Sequence, residues 1–247
     1  MPDVTINING GNNLIAPNAT IVNSRSKADG KSLTLADIQN GSGKPCDRHA
    51  TRYRIFASHD LTDVAKAMSK AKKHIVLHAA YYPKYAIGNY GQVLYETLEH
   101  NKELKLTVVF TDVSVSPWLD EFARVLRTNY KTVDDFRNEL EATKGLFRRL
   151  QQEHRKSRVE VLSTSQLPMF PVVLVDSTLF VGHYSHSRIP APDGLWLVIN
   201  NSKISQMYAD LLAGSAKIPC NAEDKAIFRY LEEIANAVAN GTSVFFD

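Results

Sequence analysis

The sequence predicts an α/β fold, with a mixed, mostly parallel sheet covered by helices on both faces and preceded by a short N-terminal arm. Three observations predict it. Compact apolar runs of strand length recur, among them His74–Ala80, Leu104–Phe110, Val172–Asp176 and Leu195–Ile199. Segments with apolar residues at helical spacing alternate with them. Of the 247 residues, 44% are apolar and 22% charged, the balance of a globular protein with a true core.

The first fifty residues read differently from the rest. Thr5–Asn9 alternates polar and apolar residues, Gly10-Gly11-Asn12-Asn13 signals a turn, and Leu14–Asn23 forms a second short strand broken by Pro17. A Ser/Lys/Gly/Asp stretch with little to bury continues to Ala50. A lone hairpin is marginal in water. This arm (1–50) is therefore expected to be flexible or to pair its strands with other strands, including those of a second chain.

Residues 51–247 read as the α/β domain. Asp60–Asp63 offers an N-cap for a helix carrying Val64, Ala65, Ala67, Met68 and Ala71. The strand at His74–Ala80 leads into a loop rich in Tyr, Gly and Pro (Tyr81 to Tyr90), then a helix built on Val93, Leu94 and Leu98. After the strand at Leu104–Phe110, a charged helical insertion is expected over about 117–158. Val159–Leu162 begins another strand. Val172–Asp176 and Leu179–Gly182 read as two strands joined at Asp176-Ser177-Thr178. Leu195–Ile199 is a further buried strand, followed by helices at about Lys203–Ala213 and Asp224–Ala239. No internal repeat is visible.

Net charge is +3, too small to mark a nucleic-acid binder by itself. Cys46 and Cys220 stand far apart with no Cys or His cluster near them, which suggests neither a zinc site nor a disulfide framework. The start Met1-Pro2-Asp3-Val4 lacks a secretory pattern, and no window holds the ~18 consecutive apolar residues of a membrane span. The expectation is a cytoplasmic protein. Walker, Rossmann and Gly-x-Ser-x-Gly motifs are absent.

One block carries more information. Met169-Phe170-Pro171-Val172-Val173-Leu174-Val175-Asp176 precedes a turn, a short strand and Gly182-His183-Tyr184-Ser185, and Asp193 precedes the next strand. With the order of elements from about Arg54 to Leu212, this block resembles one half-domain of the phospholipase D superfamily, whose signature is written HxKxxxxD. The apolar run, Asp176, the turn and Gly182 fall at family spacing. Met169 stands in the histidine position, Pro171 in the lysine position and His183 in the serine position. The resemblance implies two half-domains meeting across a twofold axis, with one histidine attacking phosphorus, the other protonating the leaving oxygen, and lysines holding the phosphoryl oxygens. It also implies a homodimer for a single-half chain and no metal or other cofactor. Methionine has no basic nitrogen and proline no charge, so the family reaction is not expected from the family residues. A bulky apolar pair there would fill the pocket. The triplets His100-Asn101-Lys102 and His154-Arg155-Lys156 lack the aspartate and sit in the wrong order.

Three histidines suggest a replacement. His78 closes a strand at the carboxyl edge where open α/β sheets place ligands. His183 and His186, with Ser185, follow Gly182. If His78, His183 and Asp176 converged, two imidazoles would supply acid and base while the carboxylate fixed a tautomer. A metal site is not expected, because His-x-x-His has no third ligand nearby. The basic stretch from Arg148 to Arg158, including Arg155, reads as a solvated helix face or a phosphate-tracking patch; Tyr81, Tyr82, Tyr85 and Tyr90 are the candidate stacking platforms for single strands.

Three functions follow. The first is a degenerate module binding a phosphorylated ligand, a nucleic acid or a protein partner. The second is a metal-independent phosphodiesterase or nuclease using a rearranged histidine site. The third is an assembly protein that oligomerises through residues 1–50.

Overall fold

The computed structural model describes residues 51–80, 82–112, 118, 120, 133–154, 158–166, 168–183 and 193–244. The N-terminal arm lies outside these residues, and so does much of the expected helical insertion.

The elements run β1 (Arg52–Phe56), a 3₁₀ turn (His59–Thr62), α1 (Val64–Met68), β2 (His74–His78), α2 (Pro83–Ile87), α3 (Asn89–His100) and β3 (Lys105–Thr111). They continue as α4 (Val133–Glu153), β4 (Val159–Thr164), β5 (Val172–Val175), β6 (Thr178–Gly182), β7 (Trp196–Asn200), α5 (Ile204–Leu212), α6 (Ala222–Ala239) and β8 (Thr242–Ser243). All eight strands join one sheet in the order β1-β7-β6-β5-β2-β3-β4-β8.

The mixed sheet with helices on both faces matches the expectation, but the balance of directions corrects it. Only β2–β3 and β3–β4 are parallel, whereas the other five pairings are antiparallel. Apolar runs such as Val172–Val175 report that both faces are covered and say nothing of direction. Chain connectivity decides it: two residues link β5 to β6, which permits only a hairpin.

Strand alternation divides the core into two layers. On one face Ile75, Leu77, Leu106, Val108, Phe110, Val173 and Phe180 pack against Leu94 and Leu98 of α3 and Phe147 and Leu150 of α4. On the other, Val76, Val172, Leu174, Leu179 and Val181 pack against Ile204 and Tyr208 of α5 and Ile227, Leu231 and Ile234 of α6. No helix among the described residues is long and apolar enough to cross a membrane.

Local details depart from expectation for identifiable reasons. Asp63, within the expected Asp60–Asp63 cap, is the N-cap residue of α1 but sits at φ 61° with no side-chain cap bond, and the side-chain cap here is Ser58 on the preceding 3₁₀ turn, whose hydroxyl accepts from the Asp60 N–H. The expected loop Tyr81–Tyr90 contains α2, begun by Pro83. Gly88 separates α2 from α3, since a Cβ there would lie 2.5 Å from the Lys84 carbonyl oxygen. β1 and β8 lie at the sheet margins, and their largely exposed residues give little apolar signal.

Candidate functional site

The register brings one set of sequence candidates to a single edge of the sheet. His78 lies opposite Val172, Val172 opposite Val181, and Gly182 opposite Trp196. The end of β2, the start of β5, the end of β6 and the start of β7 therefore lie side by side. His78, Met169, Pro171 and His183 belong to this motif edge.

Pro171 is buried, whereas Met169 is 66% exposed, so the two are not buried as a pair. The strand ladder accounts for both. The Gly182 N–H donates to the Pro171 carbonyl at 2.8 Å, tying that residue to the sheet two positions after Met169. A Cβ on Gly182 would lie 2.8 Å from the Pro171 ring and 2.7 Å from the Trp196 indole, so glycine is what lets these two rings close over the strand end. Pro171 thus belongs to a packed apolar contact at this strand end.

Asp176 does not join this edge. It occupies the β5–β6 turn at φ 47°, a left-handed conformation that aspartate tolerates better than most residues. The N–H groups of Lys72, Lys73 and His74 donate to its carboxylate at 2.8, 2.9 and 3.1 Å. His74 begins the strand that His78 ends, so Asp176 does not join His78 and His183, which share one end of the sheet on strands separated by β5. The signature spacing fixes Asp176 four residues past the start of an antiparallel strand, and that distance carries it across the sheet.

His78 is 3% exposed and projects to the α6 face with Val76. Burial alone pushes its pKa down to about 4, and its Nδ1 has no hydrogen-bond partner among the described residues. It lines a cleft of about 330 Å³ with Gln166, Glu233, Asn236, Ala237 and Asn240. The Nδ1 of His183 likewise has no partner among the described residues.

On the opposite face of the same edge stands a cluster that sequence reasoning missed. His59 is buried, its ring 4.4 Å from that of Trp196 and 5.0 Å from that of Tyr90. Tyr90 donates its hydroxyl to Asp60 at 2.6 Å, and Lys84 donates to Asp60 at 2.6 Å and Asp193 at 3.4 Å. Burial pushes His59 down to about 4, against the opposing pull of Asp60. Burial favours the neutral acid at Asp60, but the Lys84 and Tyr90 hydrogen bonds outweigh it and lower its pKa. Lys84 is held between two carboxylates, which leaves little of its charge for an outside anion. The residues come from three separate segments, so no spacing rule finds them; the one signal was Asp193 before β7.

The remaining candidates divide. Tyr82 is corrected from stacking platform to core: it is 3% exposed, its hydroxyl accepting from the Ala79 N–H and donating to the Val109 carbonyl, both at 2.7 Å. Tyr85 and Tyr90 are also buried. Arg155, Ser185, His186 and Tyr81 lie outside the described residues. In the basic stretch, Arg148 and Arg149 are exposed, His154 is buried, and Arg158 donates to the carbonyls of Leu98 and Asn101 at the end of α3. Among the described residues no group of three His, Cys, Asp or Glu is placed to hold a metal ion.

What fold and edge define together is a mixed α/β protein in which His78, Met169, Pro171 and His183 lie along one end of the sheet. No protein-family profile and no curated protein matches the sequence. Among solved structures the chain is similar to Nuc from Salmonella typhimurium, a phospholipase D family member, at 12% identity and a TM-score of 0.44; the match covers 81% of this chain and 100% of that one. It is similar to phosphatidylserine synthase of Haemophilus influenzae Rd KW20 at 11% identity and a TM-score of 0.42, covering 79% of this chain and 46% of that one. It is also similar to TrmBL2, an archaeal chromatin protein described with a novel mode of DNA binding, at 11% identity and a TM-score of 0.40, covering 64% of this chain and 50% of that one. The chain thus spans about half the length of the last two proteins.

Proposed function

We propose that this chain is a phospholipase-D-like binding module without phosphodiester chemistry, and that its motif edge contacts a second copy of the chain. The observation that carries this reading is that the rings of Pro171 and Trp196 both crowd the Gly182 Cα. It puts an apolar contact where the resembled family places a cation for the phosphoryl oxygens. Met169 and Leu195, both exposed at that edge, supply apolar surface for a partner. Nucleic acid is a less supported partner, since Tyr82 is buried and Arg158 is engaged with backbone carbonyls.

The test pairs chemistry with mass. Hydrolysis of bis(p-nitrophenyl) phosphate and of single-stranded DNA and RNA is measured in chelator for the native protein and His183→Ala. No turnover is expected from either. Light scattering is expected to give a dimer that Met169→Asp reduces to a monomer. Turnover that disappears in His183→Ala overturns the binding reading, and a native monomer overturns the partner.

A metal-independent phosphodiesterase remains the second reading. Its support is the shared edge of His78 and His183. The assembly reading rests on residues 1–50, outside the described part of the chain.

A further inference from the structure

The motif edge faces two helical layers, and the layer beneath α6 holds a cleft of its own. Glu233, Asn236 and Asn240 are spaced by three and four residues, so they share one stripe of the helix end. That stripe looks over His78 at the end of β2 and over Gln166 just beyond β4, enclosing about 330 Å³. The volume suits one small molecule.

Its lining is an imidazole, three amides, a carboxylate and one methyl group, with no lysine or arginine. The electrostatics have one sign. α6 ends at Ala239, so Asn236, Ala237 and Asn240 lie in or just past its last turn, at the negative end of the macrodipole, with Glu233 one turn further back, and the last turn contains no basic residue. Glu233 adds a carboxylate. His78 supplies no compensating charge near neutrality, since burial holds its pKa down to about 4. It also keeps an Nδ1 that no described group bonds.

We infer that this cleft binds a small organic cation bearing N–H groups, an alkylammonium or a guanidinium, with Glu233 pairing its charge and Gln166, Asn236 and Asn240 accepting its N–H donors. A phosphate would meet a carboxylate and the wrong end of a helix. A bare divalent ion would want more hard ligands than Glu233 and the amides supply. The inference does not depend on the proposed loss of catalysis, because its acceptors are Glu233, Gln166, Asn236 and Asn240, none of them a residue of the motif block.

The experiment is calorimetric titration of the full chain at pH 7.5 and low ionic strength. The probes are putrescine for an ammonium and agmatine for a guanidinium, with choline and inorganic phosphate for comparison. At least one of the two N–H cations is expected to bind at a single site. Choline, which has charge but no N–H, is expected to bind at least about tenfold more weakly, and phosphate not at all. Glu233→Gln is expected to weaken binding about tenfold or more, and Asn236→Asp, at an exposed position, to tighten it. Thermal melting confirms that each variant folds; should Glu233→Gln unfold, Asn236→Asp still decides. The inference is overturned if neither putrescine nor agmatine binds, if choline or phosphate binds as tightly, or if the folded variants leave affinity unchanged.

Discussion

His78 and Asp176 stand at opposite edges of one sheet. The Asp176 carboxylate is bonded to the N–H of His74, and β2 then runs four residues to His78, about 13 Å at the usual rise of a strand. A carboxylate at that distance cannot orient the imidazole. Its work is to fasten the β5–β6 hairpin to the start of β2.

Asp176→Ala is therefore expected to act on stability. Three N–H groups lose an ionised acceptor, and alanine tolerates φ 47° poorly. A loss of about 3 kcal/mol is expected in urea unfolding. Asp176→Asn, which keeps one acceptor oxygen and the turn preference, should lose less. Agmatine affinity at the far edge should stay within about twofold once folding is corrected for.

Gly182→Ala tests the closure at the motif edge. The new methyl would press on the Pro171 ring and on the rigid Trp196 indole, at 2.8 and 2.7 Å. Overpacking of this kind costs about 1–3 kcal/mol, read as a lower melting temperature. Restoring space with Pro171→Ala in the same chain should recover part of the loss.

Tyr82→Phe removes one hydroxyl that links Ala79 to Val109 across β2 and β3. The ring stays packed among Tyr85, Phe110 and Phe147. A loss of about 1–3 kcal/mol is expected, from a backbone N–H and carbonyl left unpaired in the core. Affinity for single-stranded DNA, whatever its value, should not change.

Two buried histidines set the acid limit. His59 and His78 both have pKa values lowered to about 4, chiefly by burial, against about 6.5 in the unfolded chain. The unfolded state then binds more protons between those values. The stability these groups contribute is complete above pH 6.5 and is lost as pH falls towards 4. Each contributes on the order of 3 kcal/mol over that window. The check is urea unfolding at pH 7, 5.5 and 4.5 for the native chain and His59→Gln. The variant should show the shallower decline, though Asp60 and Lys84 face the imidazole with opposite effects.

Sequence patterning reached the central strands because their residues are buried on both faces. Val172–Val175 and His74–His78 declare themselves through apolar content alone. It missed β1, whose side chains are largely exposed, and α2, whose five residues are too few for a period. The candidate site was readable only in part. Gly182, His78 and His183 were placed at one edge by strand order. The His59–Asp60–Lys84–Tyr90 cluster was not, because its members meet only after α1, α2 and α3 pack on the sheet. Asp176 shows the reverse: it lies seven residues from His183 in the chain, yet the length of β6 carries the two to opposite ends of the sheet.

The place of β1 at one margin of the sheet also constrains the order of folding during synthesis. Its partner is β7, so Arg52 waits for Asn200, and Thr51 accepts a hydrogen bond from Asn201. Closing so long a loop slows folding more than it weakens the finished protein. While a ribosome is still making the middle of the chain, Tyr53 and Ile55 have no strand to join. A stalled or truncated product ending before β7 would carry that unmated strand into solution, where it is open to pairing with its own copies.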